Sequence, residues 1–247
     1  MTKEEVLKRC KVDGTIVRLP AEQLDRKLYL EVAKSLELIG GKWKGGKVAG
    51  FVFPSDPTEL LEQIAGGEKR NLKKEFQFFA TPPELADRLV ALAQVENDHV
   101  ILEPSAGQGA IVSAIHRMLP AKNVYYCELM PVNNTFMQRM QNVTFICEDF
   151  FALSQNAKPY DRIIANPPFA KNQDIDHILK MYEVLTPGGR LVSVASNHWR
   201  FSKNKKERAF RDWVYDMGLV EEIDAGVFSE SGTNIAACII IINKPQQ

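Results

Sequence analysis

Apolar residues follow two regimes along the chain, and the change between them divides it. Over residues 21–39, Leu24, Leu28, Val32, Leu36 and Ile39 recur at helical spacing, which predicts an amphipathic helix stopped by Gly40-Gly41. Lys42-Trp43, the turn-like Lys44-Gly45-Gly46-Lys47 and the run Val48–Phe53 predict a short hairpin, with Trp43 as its anchor. Pro54-Ser55-Asp56-Pro57 breaks the chain, and Thr58–Ile64 reads as a short helix with Asp56 or Ser55 near its cap. The glycine- and charge-rich stretch Gly66–Glu75 then marks a boundary. This gives a small α+β N-terminal region over residues 1–72 and a main domain over residues 73–247.

Beyond the boundary, short apolar runs alternate with helical patterns. Strands are expected at 99–102, 124–127, 143–147, 162–165, 190–195, 219–225 and 235–242. Helices are expected at 82–93, 110–119, 132–140, 174–185 and 207–217, the first capped by Thr81 with Pro82 at its first position. Such alternation predicts an α/β fold: a doubly wound, mainly parallel seven-stranded sheet. The last two strands, joined without a helix, would close it as an antiparallel hairpin. Ligands of such sheets sit at the strands' C-terminal ends, so candidate chemistry is sought there.

Composition narrows the classes only a little. Hydrophobic content of 45% and charged content of 25% are ordinary for a globular protein. The 31 basic residues balance the 31 acidic ones, so any nucleic-acid binding must rest on local patches. No apolar run approaches the roughly 20 residues of a membrane span, and the N-terminus lacks a signal-peptide core. The expectation is a cytoplasmic protein with no membrane partner. Cys10, Cys127, Cys147 and Cys238 form no CxxC pair; the last three lie in strand-like runs as buried free thiols, and no metal site is expected.

The strand ends carry the chemistry. The fourth strand stops at Asn166-Pro167-Pro168-Phe169. Each proline fixes φ, removes an N–H donor and biases the residue before it towards extended backbone. The Asn166 amide and the Pro167 carbonyl then form two acceptors on a stiff edge, suited to the two hydrogens of a planar exocyclic amine, and Phe169 offers a stacking face. The first strand runs into Glu103-Pro104-Ser105-Ala106-Gly107-Gln108-Gly109 before a helix. A dinucleotide fingerprint needs a small residue three positions after Gly109, where Val112 stands instead. Glu103 suits a cationic amino group and the helix N-terminus a carboxylate, which implies an amino acid joined to a nucleoside. Glu128, ending the second strand, can accept from both ribose hydroxyls. Glu148-Asp149-Phe150-Phe151, ending the third, offers an amine acceptor and an apolar wall for adenine.

The ordered set Phe79-Ala80-Thr81-Pro82, EPSAGQG, Glu128, Asp149-Phe150 and NPPF resembles the class I S-adenosylmethionine-dependent methyltransferases over residues 76–243. Within them it is similar to the amino-methyltransferases of DNA adenine, which carry a (D/N)PP(Y/F) motif, and the whole chain to small phage- or plasmid-borne examples. The resemblance implies S-adenosyl-L-methionine as cofactor. Glu103, Pro104, Ser105, Gly107 and Gly109 would frame its methionine part, Thr81 would lie near its carboxylate, Glu128 would hold the ribose, and Asp149 with Phe150 the adenine. Asn166, reaching the cofactor side as well, would hold the target amine with Pro167 and Pro168, and Phe169 would stack on the base. Many relatives insert a large target-recognition domain. Here Asp149 and Asn166 are 17 residues apart and the chain ends soon after the last strand. Sequence reading would therefore fall to the first 75 residues, to loops, or to a partner subunit or second copy.

One basic stretch, Arg200–Arg211, follows the fifth strand on the same edge. His198, Arg200, Lys203, Lys205 and Lys206 are its candidate phosphate contacts, and Trp43 beside Lys42, Lys44 and Lys47 is either a second contact or simply the hairpin's anchor. The combined expectation is methyl transfer to N6 of adenine in DNA, through a base flipped out of the duplex. The alternatives are a base amine in RNA (guanine N2 or adenine N6), a glutamine amide in protein, or a non-catalytic nucleic-acid-binding protein that kept the fold.

Overall fold

The computed structural model describes residues 1–53, 56–72, 81–154, 159–224, 226–228 and 235–246. Two compact units divide the chain, Met1–Phe78 and Phe79–Gln247. The boundary expected after residue 72 adjoins residues outside the described ones, and Ser55, Phe79 and Ala80 themselves lie outside them.

The first unit contains α1 (Lys3–Lys8), β1 (Lys11–Asp13), β2 (Ile16–Arg18), α2 (Arg26–Leu38), β3 (Lys42–Lys44), β4 (Gly50–Val52) and α3 (Thr58–Ala65). Its sheet order is β1-β2-β4-β3, antiparallel throughout. The predicted helix, hairpin and short helix are present. The α1-β1-β2 segment was not foreseen; Thr2 and Glu5 close a reciprocal capping box at its start. Asp25 caps α2 by accepting from the Leu28 N–H at 3.0 Å. Val32 and Leu36 of α2 are buried, as are Val6, Leu7, Val17, Phe51 and Ile64. Trp43 packs edge-on to Phe51, with ring centroids 5.2 Å apart, and stays half-exposed on the edge strand.

In the second unit α4 (Pro83–Ala93) leads into β5 (Ile101–Glu103), α5 (Ala110–Met118), β6 (Val124–Cys127), α6 (Pro131–Met137), β7 (Val143–Cys147) and β8 (Tyr160–Ala165). Then come α7 (Gln173–Val184), β9 (Leu185–Ser196), a single turn α8 (His198–Phe201), α9 (Lys205–Met217), β10 (Gly218–Glu222) and β11 (Ala237–Asn243). The seven strands run β10-β11-β9-β8-β5-β6-β7. The five from β9 to β7 are parallel, and β11 is antiparallel to both of its neighbours.

Successive residues of the central strands enter opposite cores, as a period of two requires when both faces are covered. Ile101, Ile164, Val192 and Ile239 pack beneath α4 and α5; Leu102, Ile163, Leu191 and Ile240 pack beneath α7 and α9. The closing hairpin forms, but its last strand lies inside the sheet rather than at its rim. Composition explains the order. Residues Ala237–Ile242 are buried without interruption, whereas β10 exposes Leu219 and carries Glu221 and Glu222. The half-polar strand takes the edge, where charge also discourages pairing with another chain.

Replacing Ile240, fully buried in this inserted strand, by Ala should lower the unfolding free energy by about 2–5 kcal/mol. Urea unfolding followed by circular dichroism measures it; a loss below ~1 kcal/mol would mean that β11 is not the packed interior strand.

Candidate functional site

The parallel strands end on one edge, and the chemistry-bearing residues of the sequence collect there. Glu103 closes β5, Glu128 follows β6, Asp149 follows β7 and Asn166 follows β8. After Glu103 the chain turns through Gly107 (φ 56°) and Gly109 (φ 80°), left-handed conformations that side chains resist. At Gly109 a Cβ would also stand 2.5 Å from the Met140 sulfur and 2.9 Å from that of Met137. These thioethers, from α6 and the turn behind it, close the back of the loop.

The loop is knitted to the end of β6. The Ala106 N–H donates to the Cys127 carbonyl at 3.0 Å, and the Gly107 N–H to Glu128 Oε2 at 2.6 Å. Gln108 Nε2 donates to Asn133 Oδ1 at 3.3 Å. On its other oxygen Glu128 accepts from the Met130 N–H at 2.7 Å and from Asn133 Nδ2 at 3.3 Å. Burial pushes the Glu128 carboxyl above its usual range, and these donors pull it back in part.

Glu103 lies deeper, 2% exposed, with Oε2 lacking any hydrogen-bond partner. Burial raises its carboxyl well above the ordinary range, the neighbouring Glu128 charge raises it further, and the Val112 N–H in the first turn of α5 opposes both. A buried acid with an orphaned oxygen beside a helix N-terminus suits a zwitterion: the cation goes to Glu103 and the carboxylate to the turn. On that donor set, the residues fit the amino-acid end of an S-adenosylmethionine-type cofactor.

Asp149 is exposed, and its side chain accepts from the Phe151 N–H at 2.9 Å, capping the turn Phe150–Ala152. Phe150 is in the core, stacked on His177 with centroids 5.9 Å apart. The exposed apolar groups next to the two acids are instead Phe151, the second phenylalanine of that run, and Leu129, which the sequence reading did not single out. The position of Leu129 directly after Glu128 was the available signal. The thiols of Cys127 and Cys147, neighbours across β6 and β7, lie 3.4 Å apart; Cys147 is partly exposed rather than buried as expected.

Thr81 corrects a local expectation. Helix α4 begins at Pro83 with Pro82 at its N-cap and no side-chain cap, so Thr81 does not cap it. Its hydroxyl accepts from Asn166 Nδ2 at 3.1 Å. One hydrogen of the Asn166 amide is thereby held. Pro167 is buried and Phe169 partly so; the Phe169 ring meets Phe228, on the segment after β10, edge to face at 6.4 Å. Phe228 is a site residue that sequence reasoning missed, legible only as a lone aromatic in the β10–β11 connection. A groove of about 500 Å³ opens between Pro82–Arg88 and Ile223–Val227. Thr81 and Phe228, which meet Asn166 and Phe169, adjoin its lining residues in the chain.

Of the basic stretch, His198, Lys203 and Lys205 are exposed. Arg200 is not the free cation expected: it pairs with Glu222 at 2.5 Å and is mostly buried. Lys206 pairs with Asp176 at 2.7 Å, and Arg211 donates to the carbonyls of Arg200 and Ser202. Charge density along the sequence did not reveal that these side chains serve the fold.

A parallel sheet with acids at three successive strand ends, a glycine turn and an antiparallel inserted strand defines a Rossmann-like methyltransferase fold. The chain belongs to the methyltransferase small domain family, which it matches over residues 86–214, just over half its length. Among solved structures it is similar to the methyltransferase subunit of a type I restriction-modification system from Streptococcus thermophilus. There the TM-score is 0.59 at 17% identity, over 78% of this chain and 49% of that one, so it spans about half of that subunit. It is also similar to a protein provisionally named an RNA methyltransferase from Pyrococcus horikoshii, with TM-score 0.52 and 19% identity over 69% of this chain and 88% of the other. At these identities the likeness is one of fold. No curated protein matches the sequence significantly.

The raised Glu103 carboxyl has a signed consequence. Below the ordinary carboxylate range the group is protonated in folded and unfolded chain alike. As pH climbs from about 4.5, the unfolded chain ionises first, so ligand-free protein loses stability until pH passes the raised folded value. Glu103→Gln should be more stable than wild type at pH 7 and converge with it near pH 4, while binding S-adenosylhomocysteine more weakly. Urea titrations across pH, with calorimetry of the ligand, test both; a variant less stable than wild type at pH 7 refutes the electrostatic account.

Proposed function

We propose that the chain is an S-adenosylmethionine-dependent amino-methyltransferase whose substrate is N6 of adenine in DNA, presented as a flipped-out base. The observation that carries the reading is the placement of Asn166 directly after β8, its amide donating to Thr81, with Pro167, Pro168 and Phe169 following it on the same edge. Phe169 braced by Phe228 supplies an adjacent aromatic face. The type I modification subunit among the similar structures agrees with a DNA substrate without deciding it.

The cofactor supplies an electrophilic methyl group on a sulfonium. Glu103 and the Gly107–Gly109 turn would hold its amino-acid end, and Glu128 its ribose. Glu128 already accepts three hydrogen bonds from its own neighbourhood, so it would hold ribose while still bracing the turn. Asp149, beside exposed Phe151, would take the adenine amine.

The chain's task at the reacting centre is to make a poor nucleophile reactive. An adenine amine delocalises its lone pair into the ring. Hydrogen bonds to Asn166 Oδ1 and the Pro167 carbonyl favour a pyramidal nitrogen and aim the lone pair along the line of transfer. As the nitrogen becomes positive, both acceptors stabilise the developing charge, and the prolines hold them in place beforehand. The excess proton can then leave to water, so no strong base is required.

Asn166→Ala should lower the methyl-transfer rate about 10²-fold or more with cofactor affinity largely kept. Phe169→Ala should lose roughly 1–3 kcal/mol of base stacking, and Phe169→Tyr should be tolerated. Transfer of labelled methyl to DNA, with mass spectrometry of the nucleosides, reads all three. N6-methyladenine supports the proposal; label only in guanine N2 of RNA or in protein glutamine, or near-normal turnover of Asn166→Ala, defeats it.

A further inference from the structure

The corner that follows β9 holds an aromatic side chain with no structural task. Trp199 of α8 is fully buried and packs on Phe210 and Tyr215, which pins the turn to α9. Two residues later, about 200° round the helix, Phe201 faces the other way and is 77% exposed, the most exposed large hydrophobic side chain among the described residues. Leaving a phenyl ring in water at a fixed turn is unfavourable, and nothing in the packing of the corner requires it.

The ring lies in a basic stretch of the chain. With Arg200, Lys206 and Arg211 engaged within the fold, Lys203, Lys205 and Arg208 are exposed and form no ion pair among the described residues. The Arg200 guanidinium lies 5.7 Å from the centre of the Phe201 ring. An exposed aromatic face followed within seven residues by three exposed positive charges matches a polyanion that also carries flat rings.

The corner is also joined to the amine-binding segment. Glu207, at the start of α9, is 2% exposed. It accepts from Asn172 Nδ2 at 2.8 Å and from Asn204 Nδ2 at 3.2 Å, with His198 Nε2 at 3.8 Å. Asn172 lies three residues beyond Phe169, in the left-handed backbone conformation that starts α7. One buried carboxylate thus fixes the corner against the turn leaving Asn166–Phe169.

We propose that Phe201, flanked by Lys203, Lys205 and Arg208, stacks on an unpaired base of the nucleic-acid strand that presents the target. The inference rests on the nucleic-acid reading above and adds the side chain that grips the strand. Nucleobase and phosphate are common to DNA and RNA, so the probes separate the two.

The test measures binding of fluorescein-labelled 20-nucleotide single-stranded DNA, duplex DNA and single-stranded RNA by anisotropy, between 50 and 300 mM salt. Wild type is compared with Phe201→Ala, Phe201→Trp and a Lys203/Lys205/Arg208→Gln triple variant. Phe201→Ala should weaken the preferred probe about tenfold at every salt concentration, because stacking releases no counterions, and Phe201→Trp should restore it. The triple variant should flatten the logarithmic salt slope by about 2–3. Since Phe201 is exposed, its variants should melt with wild type.

Equal affinity of wild type and Phe201→Ala on every probe, or no binding of any probe by wild type, overturns the proposal. Wild type that binds with the predicted Phe201 dependence yet forms no N6-methyladenine leaves it standing and removes the functional reading instead.

Discussion

Parallel pairing of β7, β6, β5, β8 and β9 is the constraint from which the site follows. Parallel neighbours cannot be joined by a tight turn, so each crossover carries chain across a face of the sheet and returns it to the same starting edge. Every strand then delivers its last residue to the opposite edge. Glu103, Glu128, Asp149 and Asn166 belong to four separate stretches of sequence, yet this rule alone brings them to one rim. The crossovers also account for two cores rather than one, and for strands that are apolar on both faces.

That rim holds charge at some cost to the fold. Two carboxylates, Glu103 and Glu128, are buried near each other and both resist ionisation. Glu128 is compensated by donors from Gly107, Met130 and Asn133, and so ties the glycine turn to its neighbouring strand. Glu103 is compensated far less, and one of its oxygens has no donor at all. A carboxylate that only closed a helix end would sit better near water. An acid kept this deep reads as a place prepared for a cationic group, with stability given up in the ligand-free chain.

The Asn166–Phe169 segment is held from three sides, each by a different connection. Thr81, ahead of α4, takes the Asn166 amide; Phe228, after β10, meets Phe169; and Glu207, opening α9, holds Asn172 just beyond. None of the three is near the segment in sequence. Positioning of a weak nucleophile depends on such support, because two acceptors a fraction of an ångström out of place lose most of their effect.

The alternation of elements, the sheet class, the NPPF turn and the acids at the strand ends are all legible in the order of residues alone. These are legible because burial on both faces imposes a period of two, and because proline and glycine mark turns by their backbone chemistry alone. What it left open is everything set by contact between distant segments. The apolar β11 had to be weighed against the half-polar β10 before either could be placed, and a hairpin pattern does not say which strand goes inside. Thr81 reads as a helix cap until Asn166 competes for its hydroxyl, and Phe150 reads as a binding wall until His177 covers it. Six basic residues in a row of twelve look alike as charges. Only the fold decides that Glu222 and Asp176 take two of them, that two backbone carbonyls take a third, and that Phe201 is left outside among the rest. Local propensity acts over a few residues, whereas partners are chosen by proximity in space, and proximity exists only once the strands have paired.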